Sequence, residues 1–380
     1  MNESTTPLYL QIYKRLRDDI LANKYSAGKR LPTEKEICQT YYVSRITAKK
    51  ALNQLAEENL IVRIKGKGSF VLGTYNQGTW VTERQKVLGL IMPDFEDTYG
   101  REIFFSIEKQ CRKVGVQFIF SCSEGVQHLE AQALDDMLDF DVLGILIMPV
   151  HGVYYSTKIL KLVLDGFPIV LIDRDLRGIP SHFVGTDNVA AAEVATDYLI
   201  QMGHKKICVY SPPYDKTSSL EDRINGIQQS IQKNNLGMGT FCFFSQLLYS
   251  LPQNRNHETF VKDKEAVKLH LAENPDITAA FALEYNSAVT IRAAAEELGL
   301  GVPDALSIIC FDSPLKDYLF CTPPFTHMRQ KQEEIGERAV DLVLSLAEGK
   351  TGNRIMKINL PTVFVPGRST YNINDLSIFS

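Results

Sequence analysis

The sequence predicts a two-part α/β protein, with a small helical N-terminal unit ahead of a large body built on parallel sheets. Residues 7–72 show helical spacing in three segments and then two short β-prone runs. From Val87 onward, continuous apolar runs alternate with amphipathic segments, which is the pattern of parallel strands covered by helices on both faces. The roughly 290 remaining residues exceed one comfortable hydrophobic core, so we expect two lobes with a cleft between them.

Composition places the chain among ordinary globular proteins. Of its 380 residues, 44% are apolar and 23% are charged, which excludes a disordered chain or a fibrous repeat. The longest uninterrupted apolar stretch, residues 142–150, is too short to span a membrane. Residues 1–6 lack the basic and apolar regions of a secretory signal. We therefore expect a cytoplasmic protein with no membrane partner.

Charge is divided unevenly along the chain. Residues 1–75 hold 13 Lys and Arg against 7 Asp and Glu, and the remaining residues hold 28 against 38. The net charge of −4 therefore combines a basic N-terminal unit with an acidic body. This asymmetry is typical of a module that binds a polyanion joined to one that does not.

The N-terminal unit begins with an amphipathic helix, because apolar residues recur at helical spacing between residues 8 and 20. A second, short helix is expected at about 34–40, since Thr33 followed three residues later by Glu36 forms a capping-box pattern. After a four-residue turn, Ser44 is placed to cap a third helix that runs to about residue 59.

Two β-prone runs, 60–64 and 69–72, flank a basic turn that contains Gly66 and Gly68 and predict a hairpin. Two helices, a turn, a third helix and a hairpin together describe a winged helix-turn-helix over residues 1–72. Residues 73–86 are polar with two glycines and are predicted to be a linker. The body then covers residues 87–380.

The body is predicted to contain eight strands separated by helices. Apolar runs define the strands at 87–92, 116–120, 142–148, 169–172, 206–210, 241–244, 279–283 and 307–311. Helices are expected at, for example, 101–114, 190–202, 223–234 and 335–346. Neither GxGxxG nor GxxxxGK[ST] follows any of these strands, so no dinucleotide or P-loop site is indicated.

The third helix carries residue types suited to reading DNA. A helix with Arg45 and Lys49 on one face can enter the major groove, where the Arg fork reads guanine O6 and N7. Ser44 and Thr47 at its N-terminus can hold phosphates, and Lys67 of the hairpin turn can reach the DNA backbone. For any one lysine alone, a solvated surface role is the better explanation, but the whole set favours DNA binding.

These residues resemble the GntR-type winged helix. The resemblance rests on residues 7–9 (PLY), 28–36 (GKRLPTEKE), 43–52 (VSRITAKKAL) and 66–71 (GKGSFV). It implies a domain that binds double-stranded operator DNA. The positions that it implies for DNA contact are Lys35, Ser44, Arg45, Thr47, Lys49, Lys67 and Gly68. The family usually has arginine where Lys35 and Lys49 stand, and lysine lacks the bidentate fork, so we expect these two to contact phosphates.

Polar residues stand just after several predicted body strands, where open α/β sheets bind ligands: Asp173, Arg174, Asp187, Glu284 and Asp312. Carboxylate and guanidinium groups hydrogen-bond pairs of hydroxyls, and an aromatic ring such as Tyr99 can cover the apolar face of a sugar. Structural alternatives are equally open for single residues. Asp187 is also placed to cap the next helix, and Asp173 could pair with Arg174.

The body resembles the LacI/GalR effector domain, which shares its fold with periplasmic sugar-binding proteins. The match runs from Val87 to about Thr370 and includes 87–91 (VLGLI), 184–188 (VGTDN), 202–206 (MGHKK) and 309–312 (ICFD). It implies an effector-binding and dimerisation domain over residues 87–380, and hence a homodimer. The ligand positions that it implies are Tyr99, Glu102, Asp173, Arg174, Asp187, Arg223, Glu284, Asp312 and Gln330.

The body departs from the LacI pattern in places. Glu284 and Tyr285 stand where the family often has Asn-Asp, and Asn286 takes that role if the register slips. Cys310 replaces a usual glycine, and residues 73–86 replace the family's hinge helix. A GntR-type head on a LacI-type body resembles the arabinose-responsive repressors, which implies a monosaccharide effector such as arabinose.

No catalytic, metal or cofactor site is expected. The seven cysteines include no CxxC pair and the seven histidines include no HExxH spacing, so buried free thiols are the expectation. No nucleophile and base stand out together, and we expect no enzymatic activity.

The predicted function is therefore that of a transcriptional regulator, a repressor released from its operator when a sugar binds the cleft. Two alternatives stay open: a sugar-binding protein without a transcriptional role, and an activator controlled by a non-sugar ligand. The sequence names neither the effector nor the operator.

Overall fold

The computed structural model describes residues 7–22, 24–26, 28–58, 60–64, 67–72, 86–152, 156–213, 217–314, 324–352 and 354–374. The chain forms two compact units, Met1–Arg84 and Gln85–Ser380. Residues 73–85, nearly all of the predicted linker, lie outside the described residues, as does Gly66 of the predicted hairpin turn.

The first unit contains three helices and a hairpin, as predicted. Its elements are α1 (Leu8–Leu21), α2 (Glu34–Tyr41), α3 (Arg45–Glu57), β1 (Ile61–Ile64) and β2 (Gly68–Val71). Thr33 caps α2: its Oγ1 accepts from Glu36 N at 3.2 Å, and Glu36 Oε2 accepts from Thr33 N at 2.6 Å. Ser44 caps α3 by accepting from Thr47 N at 3.3 Å. Both caps supply acceptors for amides that a helix start leaves unpaired.

A small apolar core joins these elements. Leu16 of α1, Ile37 of α2 and Leu55 of α3 are almost fully buried together. The hairpin closes the unit, with β1 and β2 paired antiparallel. Since the core uses the inner face of α3, Arg45 and Lys49 are left on its exposed face.

The second unit consists of two lobes. The first lobe contains β3 (Val87–Met92), α4 (Arg101–Lys113), β4 (Gln117–Cys122), α5 (Gln127–Asp139), β5 (Gly144–Ile147), α6 (Thr157–Leu164), β6 (Ile169–Ile172) and β7 (His182–Thr186). The second lobe contains α7 (Asn188–Gln201), β8 (Ile207–Tyr210), α8 (Ser218–Lys233), β9 (Phe241–Phe244), α9 (His257–Glu273), β10 (Ala279–Ala282), α10 (Tyr285–Glu297), β11 (Ser307–Phe311) and β12 (Thr326–Arg329). The chain then returns to the first lobe with α11 (Gln332–Ala347) and β13 (Lys357–Leu360), and reaches the second lobe again with β14 (Val363–Val365).

Each lobe is built on a six-stranded sheet, in the orders β13-β7-β6-β5-β3-β4 and β14-β12-β11-β10-β8-β9. All neighbouring strands are parallel apart from β12 and β14. The central strands β5, β6, β8 and β10 are buried at every residue, as expected for parallel strands covered on both faces. The predicted α/β class is confirmed, and each of the eight predicted strands is present within two residues of its predicted ends.

The chain crosses between the lobes three times, after β7, after β12 and after β13. The second crossing brings α11 against α4, where a Cβ at Gly336 would lie 2.8 Å from Ile103 O. Only glycine permits this close approach of the two helices. Because the two sheets are joined in this way, residues that follow β3, β6, β10, β11 and β12 meet in one cleft between the lobes.

Candidate functional site

In the first unit, four of the seven predicted DNA-contacting residues line one groove. Lys35, Arg45, Lys49 and Gly68 line one groove between α2, α3 and the hairpin. Ser44 and Thr47 lie at the start of α3 with their hydroxyls 2.8 Å apart, and Lys67 is exposed beside the groove. The surface therefore offers cations and hydroxyls along one helix end and one hairpin, an arrangement suited to a duplex backbone.

Arg45 is held by an acidic residue that sequence reasoning did not single out. Glu34 Oε2 accepts from Arg45 Nε at 3.0 Å, and Glu34 Oε1 accepts from Arg63 Nη2 at 2.5 Å. The hydrogen bond from Arg45, supported by Arg63, lowers the pKa of Glu34 against the opposing effect of burial. The side chain of Arg45 stays 84% exposed, so its guanidinium is oriented and still open to a partner.

The hairpin requires glycine where the resemblance implies a backbone contact. Gly68 has φ +117°, a conformation that other residues rarely adopt, and a Cβ there would lie 2.7 Å from Arg30 Nε. The positive φ therefore favours glycine at this position of the hairpin.

In the second unit, the cleft between the lobes encloses a cavity of about 90 Å³, which we call the cleft cavity. One ordered water needs about 10–15 Å³ on this measure, so the space holds roughly six to nine water-sized groups. Seven of the nine predicted ligand positions line it: Tyr99, Asp173, Arg174, Arg223, Glu284, Asp312 and Gln330.

The first-lobe wall is centred on Asp173, which follows β6. The Tyr99 hydroxyl donates to Asp173 Oδ1 at 2.7 Å, and Arg174 Nε lies 3.4 Å from Asp173 Oδ2. Burial, together with the charge of Asp173, raises the pKa of Tyr99 well above its usual value. The tyrosine therefore stays protonated and donates its hydroxyl hydrogen to Asp173 Oδ1. The second carboxylate oxygen of Asp173, Oδ2, is left to face Arg174.

The second-lobe wall is centred on Asp312, which follows β11. Gln330 donates to both of its carboxylate oxygens, from the backbone N at 3.1 Å and from Nε2 at 2.6 Å. Thr186 in turn donates to Gln330 Oε1 at 2.5 Å and fixes the amide orientation. Burial raises the pKa of Asp312 to about 6 although the hydrogen bonds from Gln330 act in the opposite direction.

Arg223 of α8 also lines the cleft cavity, in addition to these two walls. Its Nε donates to Asn188 Oδ1 at 2.8 Å, its Nη1 donates to Leu283 O at 2.5 Å, and its guanidinium carbon lies 3.7 Å from the Phe311 ring centroid. The planar group is thus held by two hydrogen bonds and by stacking, with only 5% of the residue exposed.

Arg255 was missed by sequence reasoning, and it lines the cleft cavity as well. Its Nη1 lies 2.6 Å from both Asp94 Oδ2 and Glu96 Oε1 of the first lobe, and its Nη2 donates to Ser250 O of the second lobe at 3.0 Å. Asn286 Nδ2 also donates to Glu96 Oε2, at 3.3 Å. These contacts tie the lobes together at the cavity mouth, and no local sequence pattern marks them.

Several cavity-lining side chains have buried polar atoms that make no hydrogen bond among the described residues. They include two donors, Arg174 Nε and Arg255 Nε, and one acceptor, Glu284 Oε2. Burial also raises the pKa of Glu284. Because leaving such groups unpaired is costly, the cavity presents both donors and acceptors to a polar ligand.

Two predicted ligand positions lie apart from the cleft cavity. Asp187 Oδ1 accepts from Ala190 N at 3.1 Å and caps α7, which is the structural alternative stated for it. Glu102 Oε1 accepts from Arg329 Nη2 at 3.1 Å. Glu284 and Asn286 both line the cavity, so both registers considered for that segment place a polar side chain in the cleft cavity.

Across the described ranges, no helix is long and apolar enough to cross a bilayer.

Two family models match this chain, one in each unit. Residues 8–71 match the family described as "Bacterial regulatory proteins, gntR family", and residues 196–370 match the "Periplasmic binding protein-like domain". The arabinose metabolism transcriptional repressor of Geobacillus stearothermophilus is 24% identical over 98% of this chain and 100% of its own length. The uncharacterized HTH-type transcriptional regulator YurK of Bacillus subtilis is 50% identical over 70 residues, which are 18% of this chain and 29% of YurK.

Solved structures share the fold of the body. Transcription regulator CcpA of Lactococcus lactis has a TM-score of 0.63 at 22% identity, over 76% of this chain and 100% of CcpA. A LacI family transcriptional regulator from Enterococcus faecium with bound ribose has a TM-score of 0.61 at 20% identity, over the same shares of the two chains. The chain is therefore a transcriptional regulator that joins a GntR-type helix-turn-helix domain to a periplasmic-binding-protein-like domain.

Proposed function

We propose that this regulator is a repressor that binds its operator through residues 1–72 and leaves it when a sugar fills the cleft cavity of residues 87–380. One observation carries the ligand half of the proposal. Arg174 Nε, Arg255 Nε and Glu284 Oε2 are buried, make no hydrogen bond to any described residue, and belong to side chains that line a cavity of about 90 Å³. A ligand with several hydroxyl groups is both donor and acceptor and satisfies all three atoms.

The charges around the cavity favour a neutral sugar. Three guanidinium groups line it, but so do five carboxyl groups: Asp94, Glu96, Asp173, Glu284 and Asp312. A phosphorylated sugar would add negative charge to this excess. The names of similar proteins support a pentose, since one is an arabinose metabolism repressor and another holds ribose. We take arabinose as the first effector to test.

The DNA half of the proposal rests on the groove of the first unit. We assign DNA contact to Lys35, Ser44, Arg45, Thr47, Lys49, Lys67 and Gly68, with Arg45 reading a base edge and the others holding the backbone. The regulator acts as a homodimer on two half-sites about one helical turn, or a multiple of it, apart. We expect the sugar to bind the closed arrangement of the two lobes more tightly than the open one. This difference in affinity shifts the population of the dimer towards the closed arrangement, which changes the spacing of its two DNA-binding units.

The test is thermal unfolding of the full chain against a panel of mono- and disaccharides that includes L-arabinose and D-ribose. A sugar at 100 times its Kd stabilises the body by about 2.7 kcal/mol, which shifts its Tm measurably. The sugar that binds is then added to a complex with an operator selected from random duplexes, and fluorescence anisotropy should report release. A flat panel would overturn the sugar assignment, and tighter DNA binding on sugar addition would overturn release.

A further inference from the structure

Three metal-ligating side chains meet on the second lobe, outside the cleft cavity. Cys208 of β8, Cys242 of β9 and His270 of α9 each place one ligand atom within 4.8 Å of the other two. Around a tetrahedral zinc with Zn–S bonds of about 2.3 Å and Zn–N bonds of about 2.0 Å, neighbouring ligand atoms are about 3.5–3.8 Å apart. The three side chains therefore need to move little to share one ion.

The topology brings these residues together from distant parts of the sequence. Cys208 and Cys242 are register partners on the neighbouring parallel strands β8 and β9, so their side chains project from the same face of the sheet. β9 is the edge strand, and α9 places His270 against the ring of Tyr210 on β8. Because the three ligands come from three elements, no CxxC or HExxH spacing reveals them.

The surroundings of the three side chains suit metal ligation. Tyr210 Oη lies 3.1 Å from His270 Nδ1, a contact that restricts the orientation of the imidazole. The thiolate is the ligand form of cysteine. Cys208 is buried, whereas Cys242 and His270 are half-buried, which leaves a path from solvent.

We propose that Cys208, Cys242 and His270 form a binding site for one thiophilic d10 cation of the Zn²⁺ class. Thiolate and imidazole ligands select such ions over Mg²⁺ or Ca²⁺. On binding, two thiol protons leave to solvent, and the two thiolates neutralise the divalent charge, so no net charge is buried. Three protein ligands leave the fourth position open to water at the edge of the sheet.

The site would act on the segment that carries Arg255. β9 and α9 are joined by residues 245–256, which contribute Ser250 and Arg255 to the cleft cavity. Asp263 of α9 already accepts from the backbone of this segment, at 2.7 Å from both Leu248 N and Tyr249 N. A cation that bridges β9 and α9 constrains both ends of the segment, and we expect slower amide exchange over residues 245–256 when it binds.

The experiment is a titration of the reduced, metal-free full chain with Co²⁺, followed by displacement with Zn²⁺. We expect a thiolate-to-cobalt charge-transfer band and tetrahedral d–d bands that saturate at one equivalent. Cys242→Ser and His270→Gln should each weaken Zn²⁺ affinity by at least about 100-fold, since loss of even an outer-shell partner costs about 10–100-fold. Cys122→Ser, which removes an exposed thiol outside the cluster, should change nothing.

The site is disproved if the wild-type chain shows no thiolate band at one equivalent, or if the band survives in both Cys242→Ser and His270→Gln. Far-UV circular dichroism of each variant separates loss of a ligand from loss of fold. The titration needs no sugar and no DNA, so its outcome is independent of the repressor proposal.

Discussion

Asp173 and Asp312 occupy matching positions on the two walls of the cleft cavity. Each follows the last residue of a strand, β6 in one lobe and β11 in the other, and each has a left-handed backbone, with φ of +65° and +58°. Aspartate enters this conformation more readily than most residues, and such strain concentrates at functional sites. The two lobes therefore present one carboxyl group each to whatever fills the cleft.

Asp173→Asn should weaken sugar binding by about 10- to 100-fold. The amide tolerates the left-handed backbone and keeps the oxygen that accepts from Tyr99, but it loses the charge that strengthens hydrogen bonds from hydroxyls, a contribution of about 1.5–3 kcal/mol. Isothermal titration calorimetry with the sugar found in the panel measures the change. Asp139→Asn, an exposed residue at the end of α5, is the matched control; equal affinity in the two variants would contradict the role of Asp173.

Arg45→Ala should weaken operator binding by roughly 5- to 150-fold, the range expected for one bidentate base contact worth about 1–3 kcal/mol. Fluorescence anisotropy at several salt concentrations measures the loss. The shift in Tm caused by the sugar should be unchanged, because Arg45 belongs to the first unit. Lys24→Ala removes a comparable exposed positive charge that pairs with Asp19. If Lys24→Ala weakened operator binding as much as Arg45→Ala does, the effect would come from net charge and not from a base contact.

Arg255→Met should weaken the contact between the two lobes. The substitution removes the hydrogen bond to Asp94 and the ion pair with Glu96, and leaves these two carboxylates without this cation. Charge-assisted hydrogen bonds contribute about 1.5–3 kcal/mol, so amide exchange in residues 94–99 and 248–256 should accelerate by roughly 10- to 100-fold. Hydrogen exchange read by mass spectrometry reports this directly.

The control for the cleft is Arg292→Met. Arg292 pairs with Glu296 within α10 and is far more exposed, with 45% of its side chain accessible against 22% for Arg255. Exchange should stay at the wild-type rate in that variant. Unchanged exchange in Arg255→Met would mean that other contacts hold the two lobes together.

Glu130→Gln should stabilise the body at pH 8 by about 2 kcal/mol, from about 1.4 kcal/mol per unit of pKa shift. Glu130 is 2% exposed, accepts from Val150 N at 2.7 Å, and has its pKa raised by burial to about 6. Because the pKa of Glu130 is higher in the folded than in the unfolded chain, its ionised carboxylate lowers the free energy of unfolding by the full amount at pH values above 6. This effect fades as the pH falls towards 4.5.

Urea unfolding of wild type and Glu130→Gln at pH 8, 6 and 4.5 measures this dependence. The advantage of the glutamine should shrink at each step down in pH. Glu337→Gln, on the exposed face of α11, should show no advantage at any pH. A gain that stays constant with pH in Glu130→Gln would rule out the buried charge as its cause.

Local signals explain why much of the fold could be predicted. The caps formed by Thr33 and Ser44 involve atoms within three residues of each other, and uninterrupted apolar runs mark strands such as Ile169–Ile172 because both faces of these strands are covered. The positions of Asp173 and Asp312 could be predicted for the same reason, because each residue directly follows such a strand. Polar or short strands such as β12, β13 and β14 give no comparable signal.

The contacts between distant parts of the chain could not be predicted. Arg255 meets Asp94 across 161 positions, and its sequence neighbourhood resembles any polar loop. The meeting of Cys208, Cys242 and His270 likewise depends on which strands are neighbours and on where α9 crosses them. Such arrangements follow from topology and packing, which a single sequence constrains only weakly.

The three crossings between the lobes have a consequence for synthesis of the chain. α11 supplies Ile335, Ala339, Val340 and Val343 to the core of the first lobe, so that core stays unfinished until the ribosome has made nearly the whole protein. The DNA-binding unit, complete by residue 72, can fold long before, because domains fold as they emerge. A product truncated before α11 therefore keeps the groove of the first unit but lacks a finished first lobe, so under the proposed function it would lose its response to a sugar.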